Sequence, residues 1–421
     1  MPHPQQRDLV VVSAGLDLDG GGRALAGRLL AAASAAFARE RGIGCSLLSL
    51  TGLDGFAPGA DTTGTPAGDA RGFGGRQGAL ALAVWRRQLG GPASRPGQAP
   101  AFVYDHLGPA RTQAWLPPPV RAPYLVAIYG IEVWRRLSGA RARALRRASV
   151  RLGTSNHTVE EARRANPDLG PVEVVPLCLE ERAPAGEVDG ALLDRAGRDY
   201  LLIVARMAAT ERYKGHDQLL HALAAGAAAG NVRPRLQAAG NDLPRLQAAG
   251  NVRPRLIIAG DGDDRPRLQQ LAAELGLADR VLFTGFVSEA TLAELYARSS
   301  VFVMPSRGEG FGLVYLEAMR AGKPCVAARA SAAAEVIADG ETGLLVDAAD
   351  AGALDAALGL LLSSPELAGR MGEAGRRRFQ RVFSADRFRE RMWPLLDRLT
   401  LSPGPPAPPS QPRERRPSSR P

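Results

Sequence analysis

The apolar positions of this chain fall in short continuous runs rather than in alternation. Leu9–Ser13, Cys45–Leu50, Ala101–Tyr104, Tyr124–Ile128, Val150–Gly153 and Val172–Leu177 are such runs. Runs of this length, flanked by turn residues, predict strands buried on both faces of a parallel sheet. Stretches of helical spacing lie between them, the clearest being 24–39. After a polar interval the pattern restarts with Tyr200–Ala205, Leu256–Ala259, Val281–Phe283, Val301–Met304, Cys325–Ala327 and Gly343–Val346. Strands alternating with helices predict sheets covered by helices on both faces, and two series predict two α/β domains.

The pattern divides the chain into a first domain over 1–180, a linker over 181–198 and a second domain over 199–383. A last amphipathic helix over 384–401 and a Pro/Arg-rich tail over 402–421 follow. Eight of the final 20 residues are proline, a composition that forms neither helix nor sheet, so the tail is expected to be disordered. Residues 52–78 are rich in Gly, Asp, Thr and Pro and predict a long loop. GNVRPRLQAA, GNDLPRLQAA and GNVRPRLIIA repeat in tandem over 230–259. Three copies of ten residues are too few and too short for a solenoid. They read as a duplication that lengthens one helix-to-strand connection.

Composition narrows the classes. With 421 residues, 45% hydrophobic and 23% charged, the chain has the make-up of a globular protein with two cores. No apolar stretch reaches the length of a membrane span, and the N-terminus lacks the basic and apolar regions of a signal peptide. Three cysteines without metal spacing suit a reducing compartment. The expectation is a cytoplasmic protein, peripheral at the inner face of the membrane if its basic segment meets lipid. That segment, 133–151, holds seven Arg and no acid. It predicts a basic amphipathic helix, either a solvated Arg face or a contact with anionic membrane. The net charge of +10 is concentrated there and in the tail, which argues against a nucleic-acid partner.

The chemistry concentrates in SRGEGFGLVYLEAMRAGKP, 306–324. Gly308, Gly310 and Gly312 let the backbone turn tightly beside a ligand, and the helix that follows offers free N–H groups to a phosphate. Glu309 stands in the loop, and Glu317 stands eight positions later on the helix. Both are placed to accept sugar hydroxyls beside a phosphate site. Arg206 closes the strand at 200–205, and Lys214 opens the next helix. Only Lys214 and Lys323 among the 53 basic residues are lysines. A guanidinium fork and a compact ammonium at one sheet edge neutralise a diphosphate without a metal. Asp17-Leu18-Asp19 and Asp261, Asp263 and Asp264 lack the position or register of metal loops, so no metal and no cofactor are expected.

These motifs resemble glycosyltransferase family 4, the retaining enzymes among the group 1 glycosyl transferases. The two glutamates flanking Phe311-Gly312-Leu313, Arg206 with Lys214-Gly215, Ala259-Gly260-Asp261-Gly262, Thr284-Gly285-Phe286, and Asp339-Gly340 with Thr342-Gly343-Leu344 occur in the family's order. The resemblance is dense over 200–347. It implies the GT-B architecture, two facing Rossmann-like α/β domains with a cleft between them. It implies a nucleotide diphosphate sugar donor held by the second domain. Arg206 and Lys214 would hold the diphosphate, with the backbone of Gly310, Phe311, Gly312 and Leu313 against it and Gly260 and Phe286 beside the nucleotide. Glu317 would accept the ribose hydroxyls and Glu309 would contact the donor sugar. Gly21 and Gly22 match the first domain's glycine loop, which would approach the donor's diphosphate across the cleft, and His106 stands where the family often has a histidine near that sugar. Glu309, His106, Lys214 and Arg206 are thus the expected catalytic set. The last helix would cross back to the first domain. Tyr129-Gly130 occupies a place where many members have His-Gly.

The implied reaction moves a sugar to an acceptor hydroxyl, on a cell-surface glycan or a lipid-linked glycan. A nucleotide-sugar epimerase of the same architecture and a non-catalytic sugar-nucleotide-binding membrane scaffold are the rival readings. Donor turnover separates the scaffold from the enzymes, and the epimerase needs an acid/base pair that the sequence does not offer.

Overall fold

The structure is a computed structural model. It describes residues 6–16, 21–51, 53, 70–89, 99–117, 120–179, 183–228 and 254–401. Asp17-Leu18-Asp19, Gly20, most of the predicted 52–78 loop, the repeat up to residue 253 and the tail from 402 lie outside the described residues.

The first series runs β1 (Leu9–Ser13), α1 (Gly21–Arg41), β2 (Cys45–Ser49), β3 (Ala70–Gly72), α2 (Gln77–Gln88), β4 (Ala101–Tyr104), α3 (Leu107–Ala110), β5 (Tyr124–Ile128), α4 (Gly139–Arg147), β6 (Val150–Gly153), α5 (Asn156–Ala165) and β7 (Glu173–Val174). The second runs α6 (Gly190–Ala196), β8 (Leu201–Val204), α7 (His216–Ala228), β9 (Leu256–Ala259), α8 (Arg265–Glu274), β10 (Val281–Gly285), α9 (Glu289–Arg298), β11 (Val301–Met304), α10 (Leu313–Arg320), β12 (Cys325–Ala328), α11 (Ala333–Val336), β13 (Gly343–Val346), α12 (Ala351–Ser363), α13 (Pro365–Val382) and α14 (Ala385–Thr400).

Among the described residues the strands form two sheets, ordered β3-β2-β1-β4-β5-β6-β7 and β10-β9-β8-β11-β12-β13. Every ladder is parallel. The apolar runs exist because both faces are covered: β1, β4, β5, β9, β11 and β12 are buried throughout. Strand order reverses between β1 and β4 and again between β8 and β11. Connections leave those neighbouring strands in opposite directions and open a crevice at their carboxyl ends, where ligands bind in such sheets.

Three expectations need correction. The 52–78 segment is not all loop, since Ala70–Gly72 forms β3 on the edge of the first sheet and α2 begins at Gln77. An edge strand of Ala, Arg and Gly carries no apolar run to announce it. The basic segment is not one helix over 133–151, because α4 spans only Gly139–Arg147. Asn166 holds the preceding turn instead: its Nδ2 donates to the carbonyls of Val133 at 2.9 Å and Arg135 at 3.2 Å, and its Oδ1 accepts from Leu137 N at 2.8 Å. The 181–198 stretch is not simply a linker. Its end folds into α6, capped by Asp189 and packed on α9 through buried Leu192 and Leu193.

The last helix, α14, lies against α1. Arg7 N donates to Thr400 O at 2.9 Å, Arg41 pairs with Asp397 at 2.8 Å, and Phe37 meets Trp393 edge-on at 6.4 Å. The chain thus ends its described part on the domain in which it began.

Candidate active site

The carboxyl ends of β8 and β11 supply the centre of the second domain's wall. After β8 the chain passes Arg206, forms a 3-10 turn over Ala209–Lys214 and enters α7 through Gly215, whose φ of +94° lies in the left-handed region. After β11 comes the 306–313 loop. Because β8 and β11 are hydrogen-bonded neighbours, their two connections meet. Lys214 Nζ donates to Glu309 Oε2 at 2.8 Å, with the two side chains only 19% and 14% exposed. Burial by itself lowers the pKa of the Lys214 ammonium. The Glu309 carboxylate outweighs that and holds the lysine above its ordinary range. Lys214 is therefore a fixed cation at neutral pH.

Gly308 leaves room for the Tyr213 ring, since an added Cβ would stand 2.7 Å from Tyr213 Cδ2. Arg206 pairs with Glu211 and is two-thirds exposed. Its charge is felt at Tyr213 together with those of Lys214, Glu211 and Glu309, so it shares their neighbourhood. Gly312, at φ +92°, caps α10 in a conformation that an L side chain resists. Phe311 is buried against Phe383 at 6.1 Å.

Glu317 is half-buried on α10. Burial raises its carboxyl above the usual range, and the Tyr296 hydroxyl, donating to Glu317 Oε2 at 2.8 Å, opposes part of that rise. Gly260 lets β9's end pass against the Ala205 carbonyl at a φ of +130°. Phe286, 74% exposed, stands at the end of β10. With Glu187, Asp189, Arg195 and Thr284 it lines an open pocket of about 390 Å³.

The first domain supplies the facing wall. Gly21 starts α1 at φ +64°, and an added Cβ on Gly22 would lie 3.6 Å from Leu313 Cδ1. The glycine turn of one domain therefore abuts the glycine loop of the other. After β4, Asp105 is buried beneath the turn that follows β1. Its Oδ2 accepts from Ser13 Oγ at 2.5 Å and its Oδ1 from Ala14 N at 2.9 Å. Burial nevertheless pushes its carboxyl up to about 7. His106 caps α3, with Nδ1 accepting from Gly108 N at 3.0 Å. That bond leaves the neutral imidazole proton on Nε2, and burial holds the ring below its ordinary pKa. After β5, Tyr129 N donates to Glu132 Oε1 at 2.5 Å. Among the described residues the buried Tyr129 hydroxyl has no hydrogen-bond partner.

The two walls touch along one line. Ser155 Oγ and Thr158 Oγ1 donate to Gly310 O at 2.7 and 2.9 Å. An added Cβ on Gly310 would collide with the Tyr129 carbonyl oxygen. Below this contact the Glu335 carboxylate accepts from Asn156 N at 2.9 Å and His157 N at 2.7 Å. An acid of the second domain thus sits on the N-terminus of α5, where the helix dipole favours it.

The structure therefore brings together Gly21, Gly22, Lys214, Glu309, Gly310, Phe311, Gly312 and Leu313. Glu317 lies one helix turn deeper, and Arg206 stands at the rim. Sequence reasoning missed Asp105, Tyr213, Tyr296, Ser155, Thr158 and Glu335. None of them belongs to a glycine loop, and only the three-dimensional arrangement reveals their partners. The pair Asp105-His106 directly after a strand is the one signal that was available. Among the described residues no three His, Cys, Asp or Glu side chains gather as metal ligands.

Residues 193–378 match the family model described as Glycosyl transferases group 1. A GDP-mannose-dependent alpha-(1-6)-phosphatidylinositol monomannoside mannosyltransferase of Mycolicibacterium smegmatis is 42% identical over 124 residues, 28% of this chain and 32% of that protein. A D-inositol 3-phosphate glycosyltransferase of Streptomyces scabiei is 44% identical over 116 residues, 27% and 26% of the two chains. The matched stretch thus spans under a third of the length of these curated relatives. Across nearly the whole chain the fold is similar to solved structures. One is sucrose-phosphate synthase from Thermosynechococcus elongatus, with a TM-score of 0.67 and 22% identity over 93% of this chain and 99% of that one. Another is Anabaena HepE in complex with UDP and glucose, with a TM-score of 0.68 and 17% identity over 93% and 100%. The fold is GT-B, two Rossmann-like domains facing across a cleft, and the match to the group 1 glycosyl transferase model lies in the second domain.

Proposed function

We propose that this chain is a retaining, metal-independent glycosyltransferase that moves a sugar from a nucleotide diphosphate donor to an acceptor hydroxyl. The observation that carries the reading is the Lys214–Glu309 pair at 2.8 Å, set inside the glycine loop at the point where the second sheet reverses its strand order. β10 lies three strands from β11, about 14 Å at ~4.8 Å per strand. That is room for a nucleotide with its diphosphate over Lys214 and its base toward Phe286. Glu317, steadied by Tyr296, accepts the ribose hydroxyls. The diphosphate draws Lys214 away from Glu309 and frees that carboxylate for hydroxyls of the donor sugar.

Cleaving the sugar–phosphate bond adds negative charge to the leaving diphosphate. Lys214, once drawn onto the diphosphate, meets that charge together with Arg206 and the backbone N–H groups of the 310–313 turn, so the cations are in place before the bond breaks. His106 Nε2–H faces the donor sugar as a neutral donor. The acceptor hydroxyl attacks from the face the diphosphate leaves, and the departing phosphate oxygen takes its proton, which retains the anomeric configuration. The acceptor is a cell-surface or lipid-linked glycan. The exposed Arg141, Arg146 and Arg147 of α4 beside exposed Trp115 support contact of this domain with an anionic membrane on the cytoplasmic side.

A panel of nucleotide sugars tests the reading through slow donor hydrolysis. Release of nucleoside diphosphate is expected with one donor, unchanged by EDTA, and lost in Glu309→Ala and Lys214→Ala. The configuration of the transferred sugar is read by proton NMR. Donor binding without turnover in the presence of every acceptor tried overturns the enzyme reading, and full loss on chelation overturns its metal independence.

A further inference from the structure

The wall formed by the first domain carries more positive charge than its neighbours neutralise. Arg111, just after α3, donates through Nε to Gly108 O at 2.9 Å and through Nη2 to Gln77 Oε1 at 3.1 Å, both uncharged partners. The N–H of that same Gly108 is the donor to His106 Nδ1, so guanidinium and imidazole are fastened to the two sides of one residue. α4 packs against α3 and its following turn, which brings Arg141 to the same place. Arg23 stands in the first turn of α1, next to the Gly22 that abuts Leu313. Arg23 and Arg141 make no ion pair among the described residues and are exposed. Their reach is electrostatic: Arg23, Arg111 and Arg141 all disfavour a proton on His106, and Glu132 is the acid that opposes them. Glu132 is itself engaged with Tyr129 N, and the buried Tyr129 hydroxyl has no partner among the described residues. Outward along α4, Arg143 lies over the Trp115 ring at 4.5 Å and Arg147 donates to Ala114 O at 2.9 Å, again neutral partners.

Three unneutralised guanidinium groups from three elements, converging on a neutral imidazole at the mouth of a cleft, form a receptor for a compact anion. We propose that Arg23, Arg111 and Arg141, arranged around His106, bind a phosphate group carried by the acceptor. The proposed site lies on the first-domain wall, facing the diphosphate position proposed at Lys214 on the second. The proposal rests on the transferase reading, because it names the acceptor's class. A phosphate ester on a soluble sugar or polyol and the phosphodiester of a lipid headgroup share this chemistry.

The test uses the full chain with 13C-labelled histidine, saturated with the nucleoside diphosphate that binds it, so that the donor position is already filled. The His106 resonance is followed against pH with glucose 6-phosphate, with glucose, and with vesicles of phosphatidylglycerol or of phosphatidylcholine alone. An anion among the arginines favours the charged imidazole, so the His106 midpoint, held low in its absence, is expected to rise by about 1–3 pH units, the range for an opposite charge within ~4–6 Å. Glucose and phosphatidylcholine are expected to leave it in place. A rise with glucose 6-phosphate identifies a soluble ester, and a rise with phosphatidylglycerol vesicles alone identifies a lipid headgroup. The Arg23→Gln/Arg141→Gln variant is expected to lose the rise, with the buried His216 resonance reporting an intact fold. If the diphosphate binds yet neither anion moves His106, or if the rise survives in the variant, the subsite is refuted while the donor reading stands. If no nucleoside diphosphate binds at all, the donor reading itself falls, and this inference with it.

Discussion

Gly310→Ala isolates the contact between the two domains from the fold of either one. The added methyl would meet the Tyr129 carbonyl oxygen and stand 3.3 Å from Gly130 Cα, both on the facing domain. Backbone cannot rotate away as a side chain does, so the walls must part by more than ~1 Å to reach ordinary contact distance. That separation breaks the hydrogen bonds from Ser155 and Thr158 to Gly310 O, at 2.7 and 2.9 Å. At about 1 kcal/mol each, their loss shifts the balance between joined and parted walls by ~2 kcal/mol, roughly 30-fold. The nucleotide's contacts proposed at Lys214, Glu317 and Phe286 all lie in the second domain and do not cross the gap. Turnover of donor is therefore expected to fall about 30-fold while nucleoside diphosphate affinity, measured by calorimetry, changes less than about threefold. Gly369→Ala is the matched control. It lies within α13 with nothing within 4 Å of the new Cβ, and it should raise thermal stability slightly without altering turnover. Wild-type turnover in Gly310→Ala, or affinity and turnover falling in equal proportion, would falsify the idea that the joined walls set the reactive geometry.

Asp105→Asn tests the buried acid. Its folded pKa of about 7 lies above the ordinary carboxyl value of 3.8, so the folded state binds the extra proton between those values. Stability from this group is complete below about 3.8, declines as pH rises toward 7 and is level above. The variant should abolish that decline and gain up to ~4 kcal/mol over wild type at pH 8 in urea unfolding; a pH-independent difference refutes the assignment. Tyr296→Phe removes the hydroxyl that donates to Glu317. Nucleotide affinity is expected to weaken about fivefold, one net hydrogen bond, with equal loss for ribose and none for 2′,3′-dideoxyribose forms. Loss for both forms would place Glu317 away from the ribose.

Much of this protein is local and was therefore readable from the chain. Continuous apolar runs such as Val301–Met304 are strands because a parallel sheet is buried on both sides, and that constraint acts at every position of the run. The 306–313 loop is equally explicit. Gly312 must take a left-handed φ and Gly308 must clear the Tyr213 ring, needs that glycine meets and other residues resist. Tertiary structure decided what depends on chain brought from far away. Ser155 and Thr158 are ordinary residues at a helix start until Gly310 is set before them. Glu335 is a surface acid until α5 presents its N-terminus. Asp105 has an unusual proton only because the turn after β1 closes over it and removes water. Ala70–Gly72 becomes a strand because β2 offers its edge, and the basic run shortens to Gly139–Arg147 because Asn166 takes the preceding turn's backbone groups. Hydrophobic pattern and glycine geometry act through neighbours in sequence. Desolvation and hydrogen bonding across the cleft act through neighbours in space, and only the folded chain contains those.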